Sequence, residues 1–162
     1  LCLAAAAAAL LVGGPLTVLA VTDGGGGHAA HRPPAYASGT SEETAFRHIA
    51  EKITATDATT HVTATIALEP KAWGTHTVLE LKNVKGPLTC SLVAVGKNGT
   101  RETVATWSVP PGGYGIPGGA QDGHDSARYP LYVHGGAAFA RDRIDHFDVE
   151  TLTGRRLVEV DA

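Results

Sequence analysis

Four groupings of residues carry side chains that could do chemistry, and each can be weighed on its spacing. His124, Asp125 and Ser126 hold the side-chain types of a hydrolase triad. Neighbours in sequence cannot reach the relay geometry with one another, and no G-x-S-x-G elbow occurs. Gly113-Tyr114-Gly115-Ile116-Pro117-Gly118 matches G-x-G-x-x-G. A dinucleotide site needs a helix to open there, and Pro110, Pro111 and Pro117 describe a loop instead. His146 stands among Asp142, Asp145 and Asp148, and on a strand it shares a face with Asp148. That pair allows a weak cation site, but a charged edge strand is the reading we prefer. His28 and His31 fall in a Gly/Pro-rich stretch with no carboxylate cluster beside them, which favours solvated side chains over metal ligands. The residues therefore announce no catalytic centre, no cofactor site and no metal site, and the expectation is a protein that is not an enzyme.

The remaining chemical signals read as structural. Cys2 and Cys90 are the only cysteines. Cys2 falls in an apolar run and Cys90 in a strand pattern, so a disulfide between them is not expected; Cys90 reads as a small core residue. No Cys/His zinc spacing is present. Asn98-Gly99-Thr100 fits a glycosylation sequon, yet the same residues make a hairpin turn, in which Asn-Gly supplies positive φ angles. Trp73 and Trp107 could form exposed platforms for a sugar or peptide; sandwich cores favour burial of both. A net charge of −3 offers no basic field for nucleic acid.

The elements that must position these residues begin with Leu1–Val21, LCLAAAAAALLVGGPLTVLAV, which contains no charge. About 20 apolar residues cross a bilayer, so a single transmembrane helix is expected over 1–21. Gly13, Gly14 and Pro15 interrupt it, which membrane helices tolerate. The alternative is a signal peptide cleaved near Val18-Leu19-Ala20. The chain opens on Leu1 rather than Met, and further residues upstream are expected. The flank after the run has no Lys or Arg before Arg32, which favours a C-terminal side outside the cytoplasm.

Residues 22–39, with four consecutive glycines and Pro33-Pro34, read as a linker. A short amphipathic helix is expected over 40–55. Thr40 and Glu43 would form its capping box, and Phe46, Ile49, Ala50 and Ile53 would form one apolar face that docks on the following sheet. From His61 the period becomes two: Val62, Ala64, Ile66 and Leu68 share a face until Glu69-Pro70 ends the strand. Strands follow at Thr75–Leu81, Leu88–Val95, Thr100–Val109 and Leu131–His134, then one helical turn at Ala140–Ile144. A final hairpin, His146–Leu152 with Arg155–Val160, turns at Thr153-Gly154. Many short strands with turn signals between them predict a mainly β fold, an antiparallel β-sandwich over 60–162.

Set in order, Trp73-Gly74-Thr75, Cys90 in a strand, Asn98-Gly99 at a turn, Trp107, Gly113-Tyr114-Gly115 and Gly154-Arg155 resemble the extracytoplasmic domain of actinobacterial membrane-bound anti-sigma factors of the zinc-finger anti-sigma family. The likeness covers roughly residues 60 to 160. It implies a cytoplasmic zinc-binding domain, one membrane helix and this outer domain, with transcription regulated by sequestering an extracytoplasmic-function sigma factor. It also implies release of that sigma factor by stepwise action of regulatory proteases. The zinc motif does not occur in these residues; zinc and sigma-factor binding would belong to a missing domain upstream of Leu1. On this reading Gly13, Gly14 and Pro15 mark a region of intramembrane cleavage, since they weaken helical hydrogen bonding. The rival expectation is a secreted or surface-anchored β-sandwich binding module with an N-terminal signal peptide.

Overall fold

A computed structural model describes residues 41–119 and 125–162. The expected transmembrane helix with Gly13, Gly14 and Pro15, the linker, Cys2, His28, His31, the cap Thr40 and His124 lie outside the described residues. Among those described, no helix is long and apolar enough to cross a membrane.

The fold is mainly β, with eight strands in two four-stranded antiparallel sheets. Helix α1, Ser41–His48, leads into β1, Glu51–Thr56; β2, Thr63–Lys71; and β3, Gly74–Lys82. Then come β4, Leu88–Gly96, and β5, Arg101–Val109. A short helix, α2, Asp125–Arg128, precedes β6, Leu131–Ala137. A 3-10 turn at Arg141–Arg143 leads to β7, Ile144–Thr151, and β8, Arg156–Asp161. The first sheet runs β1-β2-β3-β6 and the second β5-β4-β7-β8. Strand β1 lies against β8, and β5 against β6, so the two sheets meet along both seams.

Alternation builds the interior. Ala64, Ile66 and Leu68 of β2 and Leu79 and Leu81 of β3 face Cys90, Leu92 and Ala94 of β4 and Phe147 and Val149 of β7, all buried. This is the packing that a period of two imposes when one face of each sheet is apolar. The opposite face of the first sheet carries a smaller apolar patch. There Phe46 of α1 and Ile49, just past its end, lie on Ala67 and Val78, with Tyr132 alongside. Of the expected apolar face only Phe46 and Ile49 dock there; Ala50 is exposed and Ile53 packs on the main core.

The structure departs from the sequence reading in several places. The helix does not extend over 40–55: it stops at His48, and residues 51–56 are strand β1. The helical spacing of Phe46, Ile49 and Ile53 is real, but Ile53 pairs with Ile66 across the sheet and packs into the main core. The β-branched residues Ile53, Thr54 and Thr56 prefer the pleated surface. Strand β2 also continues through Glu69-Pro70 to Lys71. Its neighbour β1 ends opposite Leu68, so Pro70 needs no donor on that side. Finally, β7 is not an edge strand, since β4 and β8 flank it.

Candidate functional site

The residues that carried the family likeness do not converge on one site. They occupy separate places: the glycines and Arg155 in turns or close approaches, Thr75, Cys90 and Trp107 in or against the core, and Trp73 exposed. Gly74 has φ 141°, and a Cβ there would lie 2.1 Å from the Ala137 carbonyl oxygen. Thr75 is buried and donates its hydroxyl to the Phe139 carbonyl at 2.9 Å. Cys90 is directly opposite Trp107 in the β4–β5 pairing. Burial pushes the Cys90 thiol up, with Arg155 opposing it, so the thiol stays protonated at neutral pH. Trp107 is half-buried against the core, and its indole N–H has no hydrogen-bond partner among the described residues.

The Gly113-Tyr114-Gly115 loop ties the β3–β4 connection to the segment before β6. Tyr114 and Val84 exchange backbone hydrogen bonds at 2.9 and 3.2 Å, and the Gly115 N–H donates to the Tyr129 carbonyl at 2.8 Å. Gly113 and Gly115 have φ of 76° and 59°, so both need the left-handed region. At the two late hairpins, Gly99 and Gly154 have φ of 80° and 85°. Asn98 does not adopt positive φ, contrary to expectation; its side-chain oxygen instead accepts the Thr100 N–H at 3.0 Å. A single left-handed residue therefore suffices for that turn. Arg155 is exposed beside Gly154.

His146 and Asp148 do share the outer face of the second sheet, with Glu159 of β8 beside them. Their ligand atoms lie within 4.8 Å of one another; Asp142 is not among them, and Asp145 instead accepts from His146 Nδ1 at 2.8 Å. The carboxylates are already engaged by guanidinium groups. Asp148, only 3 % exposed, accepts from Arg101 at 2.8 Å and Arg156 at 3.5 Å. Arg101 also reaches Glu150 at 2.9 Å, and Arg156 pairs with Glu159. Hydrogen bonding by Asp148 is the main cause that raises Arg101 above its ordinary value. This face is a lattice of charge pairs across β5, β7 and β8, which is what a buried carboxylate requires.

The grouping that the sequence did not reveal lies on the outer face of the first sheet. His76 of β3 and His134 of β6 are 58 residues apart, yet Nε2 of one lies 3.1 Å from Nδ1 of the other. Their rings are nearly parallel, 16° apart. Antiparallel pairing of Val78 with His134 and of His76 with Gly136 sets this diagonal contact. On the far side of His76, Nδ1 lies 3.4 Å from a Glu69 carboxylate oxygen. Lys71 holds the other oxygen at 2.7 Å, and Lys71 first and His76 second keep the Glu69 carboxyl below its ordinary value. Trp73 completes the group. Contrary to the expectation of burial it is 57 % exposed, its ring lying over Gly136, where a Cβ would come within 3.0 Å. The ring sits in the tight turn between β2 and β3, where no opposing sheet exists to cover it. A cleft of about 460 Å³ runs from His76 and Glu69 to His48 at the end of α1.

Comparison with family models, with curated proteins and with solved structures gave no match for this chain. The functional reading therefore stands on the residues and their geometry.

Proposed function

We propose that this chain is the outer, tethering and sensory part of a membrane-bound anti-sigma factor. The observation that carries the reading is its order of parts: an uncharged 21-residue run, a stretch with four consecutive glycines, then a folded β-sandwich. Within the sandwich, the residues that carried the family likeness serve turns and core. In this reading Leu1–Val21 spans the cell membrane once, with the sandwich outside the cytoplasm. A cytoplasmic domain upstream of Leu1 holds zinc and the sigma factor, and the chain itself contacts no nucleic acid. Regulatory proteases act on the stretch near the membrane, and Gly13-Gly14-Pro15 opens the helical backbone to the intramembrane cut. The test is co-purification of a sigma factor with the full-length protein from its native membrane. Absence of any sigma factor in that complex refutes the proposal. Replacing Gly13, Gly14 and Pro15 with Leu should stop the intramembrane cut under inducing stress; unchanged cleavage refutes that part alone.

A second reading has its own observation in its favour. The exposed Trp73 beside His76 and His134 is the kind of surface that a secreted or surface-anchored binding module presents. In that case Leu1–Val21 is a signal peptide. The mass of the mature protein decides between them, because cleavage after Ala20 removes the run that the first reading needs.

A further inference from the structure

The His76–His134 pair has a geometry that a plain surface hydrogen bond does not require. An ionised carboxylate only accepts, so the His76 tautomer that donates from Nδ1 toward Glu69, at 3.4 Å, leaves Nε2 with its lone pair for a ligand. That nitrogen lies 3.1 Å from Nδ1 of His134. A carboxylate behind the distal nitrogen of a histidine is the arrangement that fixes tautomer and ring orientation in metal sites. We propose that His76 Nε2 and His134 Nδ1 together bind a borderline transition-metal cation, with Cu(II) the expected preference. This inference rests on neither functional reading above.

The donor set selects the class of ion. Imidazole suits copper, nickel and zinc, whereas calcium and magnesium need several oxygen donors. The nearest carboxylate, Glu69, is committed to His76 and Lys71. With metal–nitrogen bonds of about 2.0 Å, two nitrogens 3.1 Å apart subtend roughly 100° at the ion, within the range of tetragonal and tetrahedral sites. The ion lies off the line joining the two nitrogens, so each imidazole turns to direct its lone pair at it; the exposed His134 has the room to do so, and water completes the coordination. On binding, the proton on His134 Nδ1 is lost to solvent and one is taken up at Nε2. For two uncharged imidazoles this exchange is balanced, with the Nδ1 proton of His76 kept toward Glu69. Gly136 keeps the adjacent surface free of a side chain, and Trp73 closes it as a wall. Glu69 is a positioning residue, acting through the His76 ring.

The test is titration of the full chain with Cu(II) sulfate, followed by tryptophan fluorescence and by electron paramagnetic resonance. A parent carrying His28→Ala and His31→Ala removes the imidazoles of residues 22–39. One equivalent should quench Trp73, and the quenching should vanish in Trp73→Phe but not in Trp107→Phe. The resonance spectrum should show two equatorial nitrogens. His76→Ala and His134→Ala should each abolish one-equivalent binding. Glu69→Gln should weaken it about 10- to 100-fold, the range for removal of a carboxylate behind a ligating histidine, without altering the nitrogen count. His146→Ala should leave it intact. Binding unchanged in His134→Ala, or lost in His146→Ala, overturns the proposal. If a His76 variant fails to fold, the nitrogen count of the parent still decides, because a spectrum with no equatorial nitrogen refutes the site.

Discussion

Gly113 offers a sharp test of the view that the Gly-Tyr-Gly loop is a strut of the scaffold and not a ligand loop. Gly99 serves as its control, since both have closely similar φ, 76° and 80°. Alanine at either position must adopt a left-handed conformation, at a cost of about 1–2 kcal/mol. At Gly99 nothing lies within 4 Å of the added Cβ, so the backbone term is the whole cost. At Gly113 the Cβ would stand 2.3 Å from the Val84 carbonyl oxygen and 3.2 Å from the Lys85 Cα. That oxygen accepts the Tyr114 N–H, so relief of the clash displaces both backbone bonds of the Val84–Tyr114 bridge. Overpacking of this kind adds about 1–3 kcal/mol. Gly113→Ala should therefore cost about 2–5 kcal/mol, against about 1–2 for Gly99→Ala. With a urea slope of about 2 kcal/mol per molar, the two midpoints should differ by roughly 0.5–1.5 M. The assay is urea unfolding of the full chain, read by far-ultraviolet circular dichroism. Equal midpoints for the two variants would refute the reasoning, because the clash and not the φ angle distinguishes them.

Other outcomes can be checked in the same preparation. Phe147 is fully buried at the centre of β7, and Phe147→Ala should lower stability by about 3–5 kcal/mol in the same denaturation series. Arg101→Ala removes the nearest partner of buried Asp148; because the guanidinium is half-exposed, the loss should be about 1–2 kcal/mol. A matched Arg101→Lys variant should restore part of it. In a Cys2→Ser background, Cys90 should resist a thiol reagent in the folded protein and react on addition of urea. Rapid labelling without urea would contradict its burial. The Glu69 carboxyl is held below its unfolded value, so its contribution to stability is complete above the unfolded pKa and is lost as pH falls through the folded one. Glu69→Gln should accordingly flatten the acid limb of a stability–pH profile and leave the neutral region in place.

How far the sequence reveals this fold depends on whether the information is local. The alternation of Val62, Ala64, Ile66 and Leu68 is local, and the structure buries all four. The glycine turns at Gly99 and Gly154 are local too. Strand β1 was hidden because Phe46, Ile49 and Ile53 keep helical spacing across a real helix end. The break follows from pairing with β2, a partner residue-by-residue propensity does not include. Trp73 misleads for a related reason, since a large aromatic favours burial only where a second surface exists to cover it. His76 and His134 escape notice because 58 residues separate them and only the β3–β6 register brings their nitrogens together. His146 and Asp148 were readable as sharing a face, but the arginines that engage Asp148 come from β5 and β8.

The placement of α1 has a mechanical consequence. A pull transmitted from residue 40 enters the domain through this eight-residue helix. Its apolar hold on the sheet is the small cluster of Phe46, Ile49, Ala67 and Val78, separate from the main core. Strand β1 comes next and is bonded to β2 along six residue pairs. Under tension the helix should release first, as a fuse, lengthening the leash while leaving the sandwich folded. A single-molecule extension trace should then show a short early step ahead of the main rupture, and Phe46→Ala should erase that step without moving the rupture force.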